Sequence, residues 1–282
     1  MSLSPCLLMV APNGARRVYH DHPAIPLTPE ELARDAQECL AAGASAMHVH
    51  VREAGGRHLL DAGAYRDAIS AIKETVGDQL LLQVTSEAGG RYSPSEQRDV
   101  MEALQPGYVS IAVREWFGDA HEVQASGELC RYLASCGTHI QYIVYSPEDL
   151  THFNHLREQG DVPNGPAFLL FVLGRYVDPP IADPSRLPGF LQALMAGDHW
   201  VVCAFGLSEG DCLALAAQQG GHTRVGFENN LWRSDGQLAT NNAELVAATK
   251  ARIEATGRRV MNASEARRFL ALTTAANTGV TL

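Results

Sequence analysis

Eight short apolar runs, each followed by a longer amphipathic stretch, recur along the 282 residues of this chain. That alternation is the pattern of repeated strand and helix units in a parallel sheet. The runs are Cys6–Ala11, Ala46–Val51, Leu80–Thr85, Tyr108–Val113, Ile140–Tyr145, Ala167–Leu173, Trp200–Phe205 and Thr223–Phe227. Eight such units are the number that closes a sheet on itself, so the pattern predicts a (β/α)8 TIM barrel of the α/β class. With 46% hydrophobic residues the chain can bury one large core. We read residues 1–282 as a single barrel domain with an extra C-terminal helix over about 262–273.

Helix punctuation supports the count. Thr28-Pro29-Glu30-Glu31 supplies an N-cap, a proline in the first turn and a capping-box Glu, and the apolar stripe that follows ends at Gly43. Ser93-Pro94-Ser95-Glu96 and Ser146-Pro147-Glu148-Asp149 repeat the device, and Asn262-Ala263-Ser264-Glu265 starts the last helix. The tail from Thr273 to Leu282 carries no clear pattern.

A formal charge of −10 argues against nucleic acid, which is bound by clustered Lys and Arg, and so leaves a small molecule as the expected ligand. Six cysteines lie far apart with no C-x-x-C pair, the usage of reduced, buried thiols in the cytoplasm. The N-terminal residues carry no basic leader and no segment reaches the ~18 apolar residues of a membrane span, so a soluble chain without a membrane partner is expected.

In barrels of this kind chemistry sits at the C-terminal ends of the strands. His48-Val49-His50 closes the second run, and side chains at i and i+2 of a strand share a face about 6 to 7 Å apart. Such a pair suits metal ligation. Strands one and eight adjoin in a closed barrel, so Glu228, at the end of Arg224-Val225-Gly226-Phe227-Glu228, is the natural third ligand. Two His and one carboxylate leave coordination positions open for a substrate. Arg224 shares the inward face and predicts either an anionic ligand or an ion pair. Thr85 and Ser110 end strands three and four, where each could hydrogen-bond a substrate, and Gly89-Gly90 lets backbone approach one. Histidines 139, 199 and 222 open strands and belong to the opposite end. His20 and His22, with Arg16 and Arg17, are loop residues that could reach the site.

Met47-His48-Val49-His50-Val51-Arg52-Glu53, Phe171-Val172-Leu173-Gly174, the segment from Gly220 to Asn230, and Asn241-Asn242-Ala243-Glu244-Leu245-Val246 together resemble the β-keto acid cleavage enzymes. The resemblance runs from strand one to the final helix. It implies a (β/α)8 barrel, a homotetramer, and zinc or another divalent metal on His48, His50 and Glu228. It also implies condensation of a β-keto acid with acetyl-CoA, followed by cleavage to acetoacetate and a new acyl-CoA. Thr85 and Ser110 would contact the keto acid, and Arg224 would work beside an acidic base.

The pattern breaks around that base. The family's Glu-Asp-Asn reads Glu228-Asn229-Asn230, and an amide cannot take up a proton. Glu87 and Glu209, each just past a strand end, are the candidates to replace it. Arg16 stands where a characterised relative has Glu, Ala112 replaces an Asn, and Ser86-Glu87-Ala88-Gly89-Gly90 interrupts a Thr-Gly-Gly. Ile143 occupies the place of a Glu that pairs with an amino group, which points to an uncharged or apolar substrate tail. The leading reading is a divergent keto acid cleavage enzyme with a relocated base. Another metal-dependent lyase or hydrolase, and a metal-binding protein without turnover, stay open beside it.

Overall fold

The computed structural model describes residues 3–176 and 181–278, with side chains to residue 271. Among the described residues eight strands form the barrel: β1 (Leu8–Val10), β2 (Ala46–Val49), β3 (Leu81–Thr85), β4 (Tyr108–Ala112), β5 (His139–Val144), β6 (Phe168–Leu173), β7 (His199–Ala204) and β8 (His222–Val225). Every neighbouring pair is parallel, and β1 pairs with both β2 and β8, so the sheet closes. The helix that follows each strand is, in order, α1 (Pro29–Ala42), α2 (Ala62–Val76), α3 (Pro94–Leu104), α4 (Ala120–Ser135), α5 (Pro147–Gln159), α6 (Leu187–Ala193), α7 (Glu209–Gln218) and α8 (Asn242–Ala255), with further helical segments besides these. This is the TIM barrel that the apolar runs predict.

The caps form as the sequence indicates. Thr28 and Glu31 close a capping box at α1, and Gly43 ends that helix with φ at 112°. Ser93 and Glu96 do the same at α3, and Ser146 caps α5 by accepting from the Asp149 amide.

Several strand ends fall short of the sequence reading, and at β2 and β8 a side chain or a glycine takes over the backbone. β2 stops at Val49: the His50 carbonyl accepts from Asn13 Nδ2 at 3.0 Å, and Val51–Arg52 peels away into a two-residue ribbon with His58–Leu59. β8 stops at Val225, because Gly226, with φ at 139°, turns the chain there. Its missing side chain matters, since a Cβ would lie 2.5 Å from the Ala11 carbonyl oxygen. β4 gives way to a helical turn, Val113–Trp116.

The core has two parts. Outward side chains of the strands, among them Val49, Ile111, Leu169 and Val202, pack on Leu32, Tyr65, Leu133 and Phe153 of the helices. Inward side chains fill the barrel, apolar at the N-terminal end (Leu7, Tyr108, Phe168, Val201) and increasingly polar above. The final helix, Ala263–Thr278, begins where expected and runs beyond the predicted 273, through part of the unpatterned tail. Its Phe269 seals the N-terminal end, meeting the rings of Phe168, His199 and His222 at 5.5, 4.8 and 4.6 Å. No helix among the described residues is long and apolar enough to cross a membrane.

Candidate active site and metal centre

At the opposite end, the strand termini enclose a cavity of about 300 Å³ whose wall includes His48, Thr85, Glu87, Ile143, Arg224, Glu228 and Asn229. His48 is the last inward residue of β2. His50 lies just past the strand, yet its Nε2 comes to 3.0 Å from that of His48. Glu228 Oε2 lies 3.5 Å from each. These donors belong to buried side chains, and Glu228 Oε2 has no hydrogen-bond partner among the described residues.

That triangle fits a divalent ion. Donors each bonded at about 2.1 Å and arranged tetrahedrally stand about 3.4 Å apart. The tautomer is suitable too: His48 Nδ1 donates to Gln83 Oε1 at 2.7 Å, which leaves the Nε2 lone pair facing the centre. Gln83 is held in turn by its own Nε2 donating to Gln141 Oε1 at 3.0 Å. Burial keeps His48 neutral by pushing its pKa down to about 3. Burial alone would raise the Glu228 carboxyl, but Arg224 with the two histidines holds it well below the usual range, so it faces the centre as an anion.

Arg224 resolves both of the roles its position suggests into one. Its Nη2 donates to Glu228 Oε1 at 2.8 Å and to Asn229 Oδ1 at 3.2 Å. Gly14 makes the close packing possible, because a Cβ there would lie 2.5 Å from Glu228 Cγ. The Gly14 carbonyl is bound by buried Arg52, which also donates to Gly56 and Arg17 carbonyls and so ties the loop after β1 against the site.

The candidate bases part company. Glu87 lies on the cavity wall with Oε2 3.7 Å from His50 Nε2. Burial raises its pKa, and the negative charge of Glu228 adds to that against the opposing pull of His50. Glu209 is 2% exposed and serves the backbone: it accepts from Asn230 Nδ2 at 2.9 Å and from the Gly226 amide at 3.3 Å, and burial pushes it up to about 8. It braces the turn after β8 from behind.

Thr85 lines the cavity and accepts from the Glu87 amide at 3.1 Å. Ser110 pairs with Thr85 in register; it is fully buried, with no partner for its hydroxyl among the described residues. The loop histidines do not converge on the centre. His20 is exposed, and His22 packs on Phe227 at 4.4 Å with Nε2 2.8 Å from the Ala239 carbonyl oxygen. Gln83, Arg52 and Tyr176, whose hydroxyl donates to the Glu228 carbonyl at 2.9 Å, escaped the sequence reading. The only available signal was polarity on an inward strand position, as at Gln83.

The profile of the beta-keto acid cleavage enzyme family matches residues 5–272. The 3-keto-5-aminohexanoate cleavage enzyme of Fusobacterium nucleatum subsp. nucleatum is 30% identical over 272 residues, covering 94% of this chain and 97% of that one. The 3-oxoadipate:acetyl-CoA acetyltransferase of Cupriavidus necator is 26% identical over 278 residues, covering 95% of each. Among solved structures, the apo structure of ObcA superposes with a TM-score of 0.69 at 15% identity, over 88% of this chain and 66% of that one, a likeness of fold alone.

Proposed function

This chain belongs to the beta-keto acid cleavage enzyme family, and from that premise we propose that it cleaves its keto acid with acetyl-CoA as co-substrate, yielding acetoacetate and a new acyl-CoA. The observation that carries the reading is the triangle of His48 Nε2, His50 Nε2 and Glu228 Oε2 at the mouth of a barrel. The acetyl-CoA dependence draws on the printed activity of the Cupriavidus relative.

A divalent ion on the three donors would supply a Lewis acid for the keto acid's oxygens. Thr85 and Ser110 would hydrogen-bond the bound acid, and Arg224 keeps Glu228 ionised and in place. Glu87 takes the proton from the carbon between the two carbonyl groups, the acidic C–H of any β-keto acid. The carbanion attacks the thioester carbon of acetyl-CoA and expels the CoA thiolate. That thiolate adds to the former ketone carbon, the bond to the central carbon breaks, and the carbanion recovers the proton from Glu87. Asn229, an amide bonded to Arg224, positions that guanidinium and exchanges no proton.

The same reading takes zinc as the resident ion, one barrel domain over residues 1–282, a homotetramer as the assembly and the cytoplasm as the location. All six cysteines are free thiols and five are buried, as a reducing compartment would allow. The test is acetoacetate release from a panel of β-keto acids, with and without acetyl-CoA. Release that needs acetyl-CoA and disappears in His48→Ala together with the bound metal is expected. No release from metal-replete protein would move the reading to another metal-dependent chemistry.

A further inference from the structure

Most charges on the cavity wall are already engaged. Arg224 bonds Glu228 and Asn229, and Arg114 donates to Asp149 at 2.6 Å while lying 4.1 Å from the centroid of the Tyr145 ring. Glu115 accepts from the Ala88 amide at 3.0 Å and from Gln97 at 2.7 Å. Two cations remain. Arg16 and Arg175 line the cavity, and neither forms an ion pair among the described residues; Glu87 feels the Arg16 charge without reaching it.

In a chain with 32 acidic and 22 basic residues, two arginines at one mouth without an acidic partner call for an anion from outside. Arg16 is also positioned. Its guanidinium carbon lies 5.0 Å from the centroid of the Tyr176 ring, which packs edge-on against Phe205 at 4.6 Å and donates its hydroxyl to the Glu228 carbonyl. The cation therefore stands one aromatic ring away from the backbone of Glu228. The same cavity wall carries apolar side chains, Ala112, Ile143, Val172 and Phe205.

We propose that the preferred β-keto acid ends in a second carboxylate, carried on a short apolar stem and bound by Arg16 and Arg175. This rests on the keto acid reading above. A planar guanidinium matches a carboxylate with two parallel hydrogen bonds, and a stacked guanidinium is held ready for them. Ile143 then accounts for the stem, while the arginines account for the end of the molecule, where the sequence alone suggested an uncharged or apolar tail.

The phosphates of acetyl-CoA share this anion chemistry, so the experiment separates the two sources. Three β-keto acids of matched length, ending in carboxylate, carboxamide or ammonium, are compared on native and Arg16→Gln metal-loaded protein, with KM for acetyl-CoA measured alongside. In parallel, a saturated dicarboxylate and its monoamide are titrated calorimetrically into both proteins. The carboxylate tail should exceed the carboxamide in kcat/KM by about tenfold or more on the native enzyme. That preference should collapse in Arg16→Gln, and the dicarboxylate should outbind its monoamide only in the native protein. Equal tails, or a preference that survives the substitution, overturn the proposal. So does a raised KM for acetyl-CoA with tail preference intact, which would assign the arginines to phosphate. If no keto acid is cleaved, the reaction reading fails, and the dicarboxylate titration still decides the subsite.

Discussion

Asn229 presents its amide oxygen to Arg224 at 3.2 Å, so at this position the site offers a dipole where the resembling family carries a proton acceptor. Glu87 offers a carboxylate on the same cavity wall. If it is the base, Glu87→Gln should lower kcat by about 10²- to 10⁴-fold with one equivalent of metal retained. Burial raises the Glu87 pKa, so its ionised form gains with rising pH and the native rate should climb along an acidic limb set above the ordinary Glu range. The pH–rate profile of Glu87→Gln should lack that limb, and an unchanged profile would assign it elsewhere. Adding Asn229→Asp to this variant restores a carboxylate against Arg224 and should recover at least about tenfold in kcat, read in single-turnover assays. At this scale the convergence of the three candidate ligands was legible because a period of two puts His48 and His50 on one face, and barrel closure brings Glu228 across. Glu87 could be named from its place after a strand, but its separation from Glu209 could not be read. Both follow strand ends, and only the turn at Gly226 commits Glu209 to the backbone.

Register decides which elements support the site. His48 of β2 lies opposite Gln83 of β3, and that offset delivers the 2.7 Å hydrogen bond that sets the imidazole tautomer. A glutamine within an apolar run marks an inward polar position but names no partner until the pairing is known, which is why the sequence did not reveal this bond. Gln83→Ala should weaken metal affinity by about 10- to 100-fold in a chelator-competition titration. An unchanged affinity would mean that packing alone orients His48. A different joint sets the pH response of the scaffold. Asp35 of α1 accepts from Asn242 Nδ2 of α8 at 3.1 Å, and burial pushes its pKa from 3.8 up to about 7. The folded state thus holds this proton where the unfolded chain has lost it. The stability that this gives is full below about pH 4 and disappears as pH rises to about 7, a span worth on the order of 4 kcal/mol. Asp35→Asn should flatten that decline, so that denaturant midpoints at pH 5 and pH 8 converge relative to those of the native protein.

Across the whole molecule, stability and chemistry lie at opposite ends of one barrel. The alternation of apolar runs and capped helices made that architecture legible, because eight parallel strands with short connections admit little else. The closure of the N-terminal end was not legible in the same way. The last helix was anticipated, but its docking depends on Phe269 reaching Phe168, His199 and His222, residues about 50 to 100 positions away, and no local pattern announces such a contact. Burial keeps His222 neutral there by pushing its pKa down to about 3, and its Nδ1 accepts from the Leu7 amide at 2.9 Å, so these histidines work as packing and not as ligands. Phe269→Ala should therefore cost about 2 to 4 kcal/mol in urea unfolding. Metal affinity and kcat should stay as they are, since the strand carrying His48 and the strand that leads into the turn before Glu228 are fixed by their own ladders. A fall in metal affinity that tracks the loss of stability would mean that the barrel transmits strain along its strands, and that its two ends are coupled.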